Sequence, residues 1–169
     1  GKVTAAYTPC FAQSTSTKIG IDGTFLTPQV YMDTGCLLVY RPSVAVLGSG
    51  VTLVTWEHDN ATQAMLFDGV GTALTPMFEV SQDTASGDRK PQTVAIEPDR
   101  FVVVWTHNVE RSVYGRIVMA DGSMPASQVL LATLAPLNAA FSRAALLGGG
   151  DLVVTWLRIG SGSYDVMAR

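Results

Sequence analysis

The stretch that decides the fold is PQTVAIEPDRFVVVW, residues 91–105. It contains a short apolar strand, a turn with Pro98, and a second apolar strand that ends in Trp105. The same pattern occurs as PSVAVLGSGVTLVTW at residues 42–56 and as FSRAALLGGGDLVVTW at residues 141–156. These three copies hold all three tryptophans of the chain. A repeat of about fifty residues predicts an architecture built from repeated supersecondary units.

The second strand of each copy is apolar on both of its faces. In the first copy, alternate residues place Val54 and Trp56 on one face and Val51 and Leu53 on the other. A strand of this kind is typical of a sheet that is covered on both sides. Glycine-rich or Pro-Asp turns join it to the preceding strand, because such residues adopt the turn conformations at little steric cost.

Two further strands are predicted after each tryptophan. The third strand is expected at residues 63–67 and 113–120, where it ends at an Asp-Gly pair, and the fourth at 75–81 and 127–132. Asp-Gly between two such runs is a strong hairpin signal. The sequence therefore predicts an all-β protein of four-stranded antiparallel repeat units.

The repeat also divides the chain. We expect repeat unit 1 at residues 42–90, unit 2 at 91–139 and a partial unit 3 at 140–169. Residues 1–41 are predicted to be an irregular N-terminal segment with half a unit, at 18–32, and an extra strand at 36–40. Because both ends then hold incomplete units, we expect other protein chains, a second copy or further sequence to complete the β assembly.

Four strands in about 40 to 50 residues is the length of a β-propeller blade. Closing the last blade with a strand from the opposite terminus avoids free sheet edges, which fits the incomplete ends. Three and a half blades are fewer than a ring normally contains, however. A threefold β-trefoil or β-prism, with three units of about this size, is the alternative.

The pattern also carries a family resemblance. Pro-x-Val-Ala, a turn, a strand ending in Val-x-Trp, and then Val-Tyr-Gly-Arg and Asp-Gly resemble the tandem repeats of large secreted or surface bacterial proteins. The match covers about residues 42–169 and is clearest at 91–122. The resemblance implies propeller-like units, an extracellular or cell-surface location, and a role as a binding or structural module.

Composition excludes some functions. Apolar residues make up 47% of the 169 residues, charged residues only 15%, and the formal net charge is −3. This charge provides no electrostatic footprint for nucleic acid or an anionic membrane. No apolar run approaches the roughly 18 residues of a membrane span, because Pro136 and Asn138 interrupt the best candidate.

The candidate binding residues lie two positions after each tryptophan: His58, His107 and Arg158. If the units are equivalent, these side chains lie on one rim of the assembly, where they could contact a ligand. A metal site is the weaker interpretation, because metals need three or four ligands and only Asp59 offers a third. The preferred explanation is a strand that simply turns polar as it leaves the core, and the tryptophans are expected to pack in the core.

Three other residues are candidates for covalent modification. Cys10 and Cys36 could form a disulfide in an oxidising compartment or remain buried thiols in a reducing one. Asn60 begins an Asn-Ala-Thr glycosylation sequon. The aspartates before glycine, such as Asp68 and Asp121, are explained by turn geometry, since no array of acidic calcium ligands accompanies them.

No catalytic motif is present: the chain has no nucleophile elbow, phosphate-binding loop or zinc-protease helix. Glycosidases need two carboxylates across a cleft, and nothing singles out such a pair. We therefore predict a non-enzymatic binding or structural module without a cofactor, which contacts protein or glycan through a loop rim. The alternatives are a lectin-like carbohydrate binder and a fragment of a propeller-type hydrolase.

Overall fold

The structure is a computed structural model, and it describes residues 2–6, 13–19, 30–33, 39–58, 60–82, 87–107, 109–133 and 135–169. None of these residues forms a helix that is long and apolar enough to cross a membrane. They form strands instead: β1 (Lys2–Ala6), β2 (Gln13–Ile19), β3 (Val30–Asp33), β4 (Val39–Val46), β5 (Thr52–His58), β6 (Ala61–Phe67), β7 (Phe78–Glu79), β8 (Asp88–Ile96), β9 (Arg100–His107), β10 (Ser112–Met119), β11 (Val129–Thr133), β12 (Asn138–Leu146), β13 (Leu152–Gly160) and β14 (Ser163–Ala168).

The strands form four antiparallel sheets in chain order. Sheet 1 contains β1–β3, sheet 2 β4–β7, sheet 3 β8–β11 and sheet 4 β12–β14. The first strands of successive sheets contact one another, β1 with β4, β4 with β8 and β8 with β12. The sheets therefore extend outward from a row of first strands, as blades do in a propeller. The prediction of an all-β, propeller-like fold is confirmed, whereas four sheets do not fit the threefold alternative.

The sheets pack face to face through their second strands. Phe101, Val103 and Trp105 of β9 pack on Leu53 and its neighbours in sheet 2. The opposite face of β9 carries Val102 and Val104, which pack on sheet 4. Because a sheet lies on each side of β9, both faces of this strand are apolar, as the sequence predicts.

Polar contacts also join neighbouring sheets. The Thr55 and Thr93 hydroxyls are 2.7 Å apart, and the Ser43 hydroxyl accepts the backbone N–H of Thr93 at 3.0 Å. Near the outer strands, Gln82 and Gln128 each donate a backbone N–H to the side-chain oxygen of the other, at 3.0 and 2.9 Å. Sheets 2 and 3 are thus held together at both their inner and outer margins.

The turns between first and second strands follow the glycine pattern. In β4–β5 the N–H of Leu47 donates to Val51 at 2.9 Å, and Gly50 has φ +89°. The same bond joins Leu147 to Asp151 at 2.7 Å, with Gly150 at φ +88°. A positive φ is accessible to glycine at little steric cost, which explains its place in the repeat.

The fourth strand of sheet 2 is shorter than predicted. Asp68-Gly69 forms a turn that closes on an isolated bridge between Phe67 and Ala73, and only Phe78–Glu79 then pairs with β6. Pro76 has no N–H to donate, and the Thr75 hydroxyl accepts the N–H of Leu66 at 3.1 Å. A side chain thus replaces part of the expected ladder.

The N-terminal segment forms a three-stranded sheet instead of the two strands expected at 18–32. Residues 39 and 40, expected in a separate strand, begin β4. The boundaries at residues 41, 90 and 139 stay a prediction. Cys10 and Cys36 lie outside the described residues, so a disulfide between them stays a prediction.

Candidate functional site

The predicted rim residues occupy equivalent positions near the ends of β5, β9 and β13. His58 pairs with Ala61, His107 with Ser112 and Arg158 with Asp165. Their environments differ, because the side chains of His58 and His107 are buried whereas Arg158 is half-exposed. A shared role in ligand contact stays a prediction.

Local contacts account for two of these side chains. His107 Nδ1 accepts the backbone N–H of Glu110 at 3.1 Å, which supports the turn after β9, and its ring meets the edge of Tyr114 at 6.2 Å. The Arg158 guanidinium contacts the Asp165 carboxylate at 2.5 Å on the adjacent strand. The described part of the chain contains no group of three or more metal-ligating side chains, and Asp59 is not in that part. Asn60 lies exposed in the β5–β6 turn, where its glycosylation stays a prediction.

The three tryptophans are core residues. Trp56 and Trp105 are fully buried and Trp156 is 5% exposed. Trp105 also stacks on Tyr114, with ring centroids 6.1 Å apart. Buried rings cannot stack on a sugar in solution, so packing between sheets explains the recurrence of tryptophan.

Each tryptophan lies opposite a bulge in the first strand, which the sequence reasoning missed. Register shifts fall between Tyr40 and Ser43 in β4, between residues 89 and 92 in β8, and between residues 140 and 143 in β12. In each case two residues oppose the single tryptophan of the second strand. A bulge of this kind bends the strand and redirects side chains.

The first residue of each bulge has a left-handed backbone. The φ angles are 52° at Arg41, 60° at Lys90 and 55° at Phe141. This region costs a non-glycine residue on the order of 1–3 kcal/mol, and such residues concentrate at functional sites. A sequence signal exists in two of the copies, since a basic residue precedes proline in Arg41-Pro42 and in Lys90-Pro91.

The three bulges surround a cavity of about 330 Å³, which we call the bulge cavity. Its volume lies at the lower end of the range of small-ligand sites, about 300–1,000 Å³. The first strands of sheets 2, 3 and 4 all contribute to its wall. The described residues that line it are Arg41, Pro42, Lys90, Gln92, Phe141 and Arg143.

Local contacts position the cationic side chains of the bulge cavity. Arg41 Nη1 donates to Glu57 at 2.6 Å, and Glu57 is 6% exposed. Lys90 Nζ lies 3.5 Å from the centroid of the Phe141 ring, in a cation–π contact. Arg143 Nη1 donates to the neighbouring carbonyl of Ser142 at 3.0 Å. The described lining thus carries three cations and no carboxylate.

No protein-family model matches this chain, and no curated protein matches it by sequence. Solved structures do match its fold. A protein of unknown function from Dyadobacter fermentans superposes with a TM-score of 0.70 at 13% identity, over 99% of this chain and 48% of that one. A GH43 endo-arabinanase from Bacillus licheniformis gives 0.51 at 8% identity, over 94% of this chain and 63% of the enzyme. The chain therefore spans about half the length of the first and less than two thirds of the second, and these likenesses show the fold alone.

Proposed function

We propose that this protein is a non-enzymatic binding or structural module, extracellular or at the cell surface, whose row of four sheets is completed by a second copy of the chain. The observation that carries the proposal is an uncovered apolar face on sheet 4. In sheets 2 and 3 the equivalent face is buried under the next sheet. Large apolar side chains that stay exposed together on one face of a folded domain mark an interaction surface.

The exposure of equivalent residues makes the contrast quantitative. Val166 of β14 pairs with Leu157, as Thr62 pairs with Glu57 in sheet 2 and Val113 with Thr106 in sheet 3. Thr62 and Val113 are 0% exposed, whereas Val166 is 76% exposed. Tyr164, on the same face, is 74% exposed.

We expect the occupant of this face to be a sheet, because the same face of sheets 2 and 3 is covered by one. Sheet 1 stands at the other end of the row, where β1 contacts β4 of sheet 2. Two copies placed head to tail about a twofold axis bring sheet 4 of each copy against sheet 1 of the other, which closes the assembly. The Dyadobacter protein supports this arrangement, since its chain is about twice the length of the aligned region.

The hydrolase alternative receives less support. The endo-arabinanase shares the fold at 8% identity, which carries no argument about activity. Glycoside hydrolysis uses a pair of carboxyl groups beside the substrate. The bulge cavity is instead lined by cations in its described part, and nearby Glu57 is buried in an ion pair with Arg41.

The test is the molar mass in solution, measured by analytical ultracentrifugation over a hundredfold range of protein concentration. We expect a dimer that dissociates on dilution. Val166→Lys places a charge on the uncovered face and should weaken dimerisation at least tenfold. The matched control is Val70→Lys, because Val70 is 70% exposed in a turn of sheet 2 and should leave the dimer unchanged.

Two results would contradict the proposal. One is a wild-type monomer at every concentration. The other is equal dimerisation of the Val166→Lys and Val70→Lys variants, which would locate the interface elsewhere. Circular dichroism of both variants checks that the fold is intact.

A further inference from the structure

We propose that the bulge cavity is a binding site for a sugar acid, that is, a pyranose ring that carries one carboxylate. This inference concerns a site within a single copy and does not depend on dimerisation. Its basis is the convergence of three strained bulges on one cavity, together with the side chains that the bulges place there.

The first step is the charge of the cavity. Arg41, Lys90 and Arg143 all line it, and bringing like charges together is unfavourable unless an anion joins them. The Glu57 carboxylate, which is not among the described lining residues, neutralises the charge of Arg41. Arg143 forms no ion pair with a described carboxylate and donates only to the Ser142 carbonyl, so its guanidinium is suited to an anionic ligand; a guanidinium binds a carboxylate through two parallel hydrogen bonds.

The second step is the size and composition of the cavity. A volume of about 330 Å³ exceeds what an inorganic anion fills, so most of the ligand must be something other than the charged group. Phe141, which is 49% exposed, and Pro42 provide apolar surface beside the cations. The C–H faces of a pyranose ring match such surface.

The third step is a polar group suited to hydroxyls. Gln92 Nε2 donates to the carbonyl of Pro91 at 2.9 Å, which fixes the orientation of the amide. Its side-chain oxygen is thereby available to accept a hydrogen bond from a hydroxyl of the ligand. The cavity thus offers a cation for a carboxylate, an apolar ring for a C–H face and an amide oxygen for a hydroxyl.

The backbone supports a functional origin for this arrangement. The positive φ angles occur at the same position of β4, β8 and β12, although the residues there are Arg41, Lys90 and Phe141. If the fold alone required this backbone conformation, glycine would adopt it with less strain. The chain instead keeps long side chains at these positions, and all three line the cavity.

The experiment is calorimetric titration of the full chain with galacturonate disaccharide, with lactose as the uncharged sugar and inorganic phosphate as the anion without a ring. We expect saturable binding of the disaccharide that weakens as sodium chloride is raised, because salt screens the charge interaction. Lactose and phosphate should bind at least tenfold more weakly.

Two variants locate the site. Arg143→Gln should weaken binding of the disaccharide about tenfold or more, since it removes a charge-assisted hydrogen bond. Phe141→Leu should weaken the disaccharide but leave the phosphate titration unchanged. The matched control is Arg100→Gln, because Arg100 is a half-exposed arginine at the start of β9 that pairs with Asp99 at 3.1 Å and does not line the cavity.

Three outcomes would overturn the proposal. Absence of disaccharide binding would show that the cavity is not such a binding site. Equal affinity for lactose or phosphate would show that the ligand is not specifically a sugar acid. An equal loss of affinity in Arg143→Gln and Arg100→Gln, with unchanged thermal unfolding, would place the binding outside the bulge cavity. Because the titration reads binding within one copy, a negative result here leaves the ultracentrifugation result unaffected.

Discussion

Replacement of Trp105 tests how the repeat stabilises the fold. Trp105 is fully buried between sheets 2 and 3 and stacks on Tyr114. A buried tryptophan removes about 200 Å² of surface from water, which corresponds to about 5 kcal/mol at about 25 cal/mol per Å². Trp105→Ala leaves a cavity and should lower the free energy of unfolding by about 3–5 kcal/mol.

Trp105→Phe should behave differently. The indole Nε1 has no hydrogen-bond partner among the described residues, and an unpaired buried N–H costs about 1–3 kcal/mol. Phenylalanine removes this N–H while keeping an aromatic ring against Tyr114. The free energy gained by removing the unpaired N–H offsets most of the free energy lost with the smaller buried area. We therefore expect the free energy of unfolding to change by no more than about 1 kcal/mol.

The measurement is equilibrium unfolding in urea followed by far-ultraviolet circular dichroism, because both substitutions alter the fluorescence. Trp156→Ala is the comparison within the chain, since Trp156 lies in the last sheet of the row and is slightly exposed; its cost should be the smaller of the two alanine substitutions. If Trp105→Phe destabilised the protein as much as Trp105→Ala, the argument from the unpaired N–H would fail.

Three further predictions follow from local contacts. Gly50→Ala should cost more stability than Gly150→Ala, because both glycines have φ near +90° but only a Cβ at 50 would lie 3.3 Å from backbone of the Asp-Gly turn; thermal unfolding of the two variants measures the difference, and equal costs would refute it. Backbone hydrogen bonds, chiefly from the N–H of residue 72, lower the pKa of Asp68. The ionised Asp68 carboxylate therefore stabilises the folded protein above about pH 4, and this contribution is lost as the pH falls through the folded-state pKa. Asp68→Asn should therefore make the melting temperature less dependent on pH below about pH 4, and an unchanged fall of the melting temperature in acid would contradict this. Arg116 donates to the Val80 carbonyl at 2.7 Å, so Arg116→Gln should speed hydrogen exchange at the outer strand of sheet 2, whereas uniform acceleration over all sheets would indicate global destabilisation instead.

The sequence predicted the elements that depend on local pattern. Repeats ending in tryptophan specify the second strands, and glycines such as Gly50 and Gly150 specify their turns. The two-sided apolar pattern also predicts sheets that are covered on both faces; sheet 2 agrees, since Leu53 and Val54 pack into different clusters, whereas one face of sheet 4 is uncovered.

The candidate site could not be predicted in the same way. A bulge depends on the register between two strands, and its first residues, Arg41, Lys90 and Phe141, are two cations and an aromatic ring instead of one residue type. A basic residue precedes proline in two of the bulges, but proline disfavours helical backbone conformations at the residue before it, so this pair alone does not predict a left-handed φ. The histidines illustrate the converse: their polarity indicated an exposed rim, but both are buried, and His107 accepts a local hydrogen bond from the Glu110 N–H.

The direction in which the tryptophans face has a consequence for biosynthesis. Trp105 packs back on sheet 2 and Trp156 back on sheet 3, so sheets 3 and 4 each present their tryptophan to the sheet made before them. During translation the surface that receives each new tryptophan therefore already exists when that residue leaves the ribosome. Folding can therefore proceed sheet by sheet from the N-terminus, with only short loops to close. Each newly made apolar strand is exposed to solvent only until the next fifty or so residues have been made and cover it.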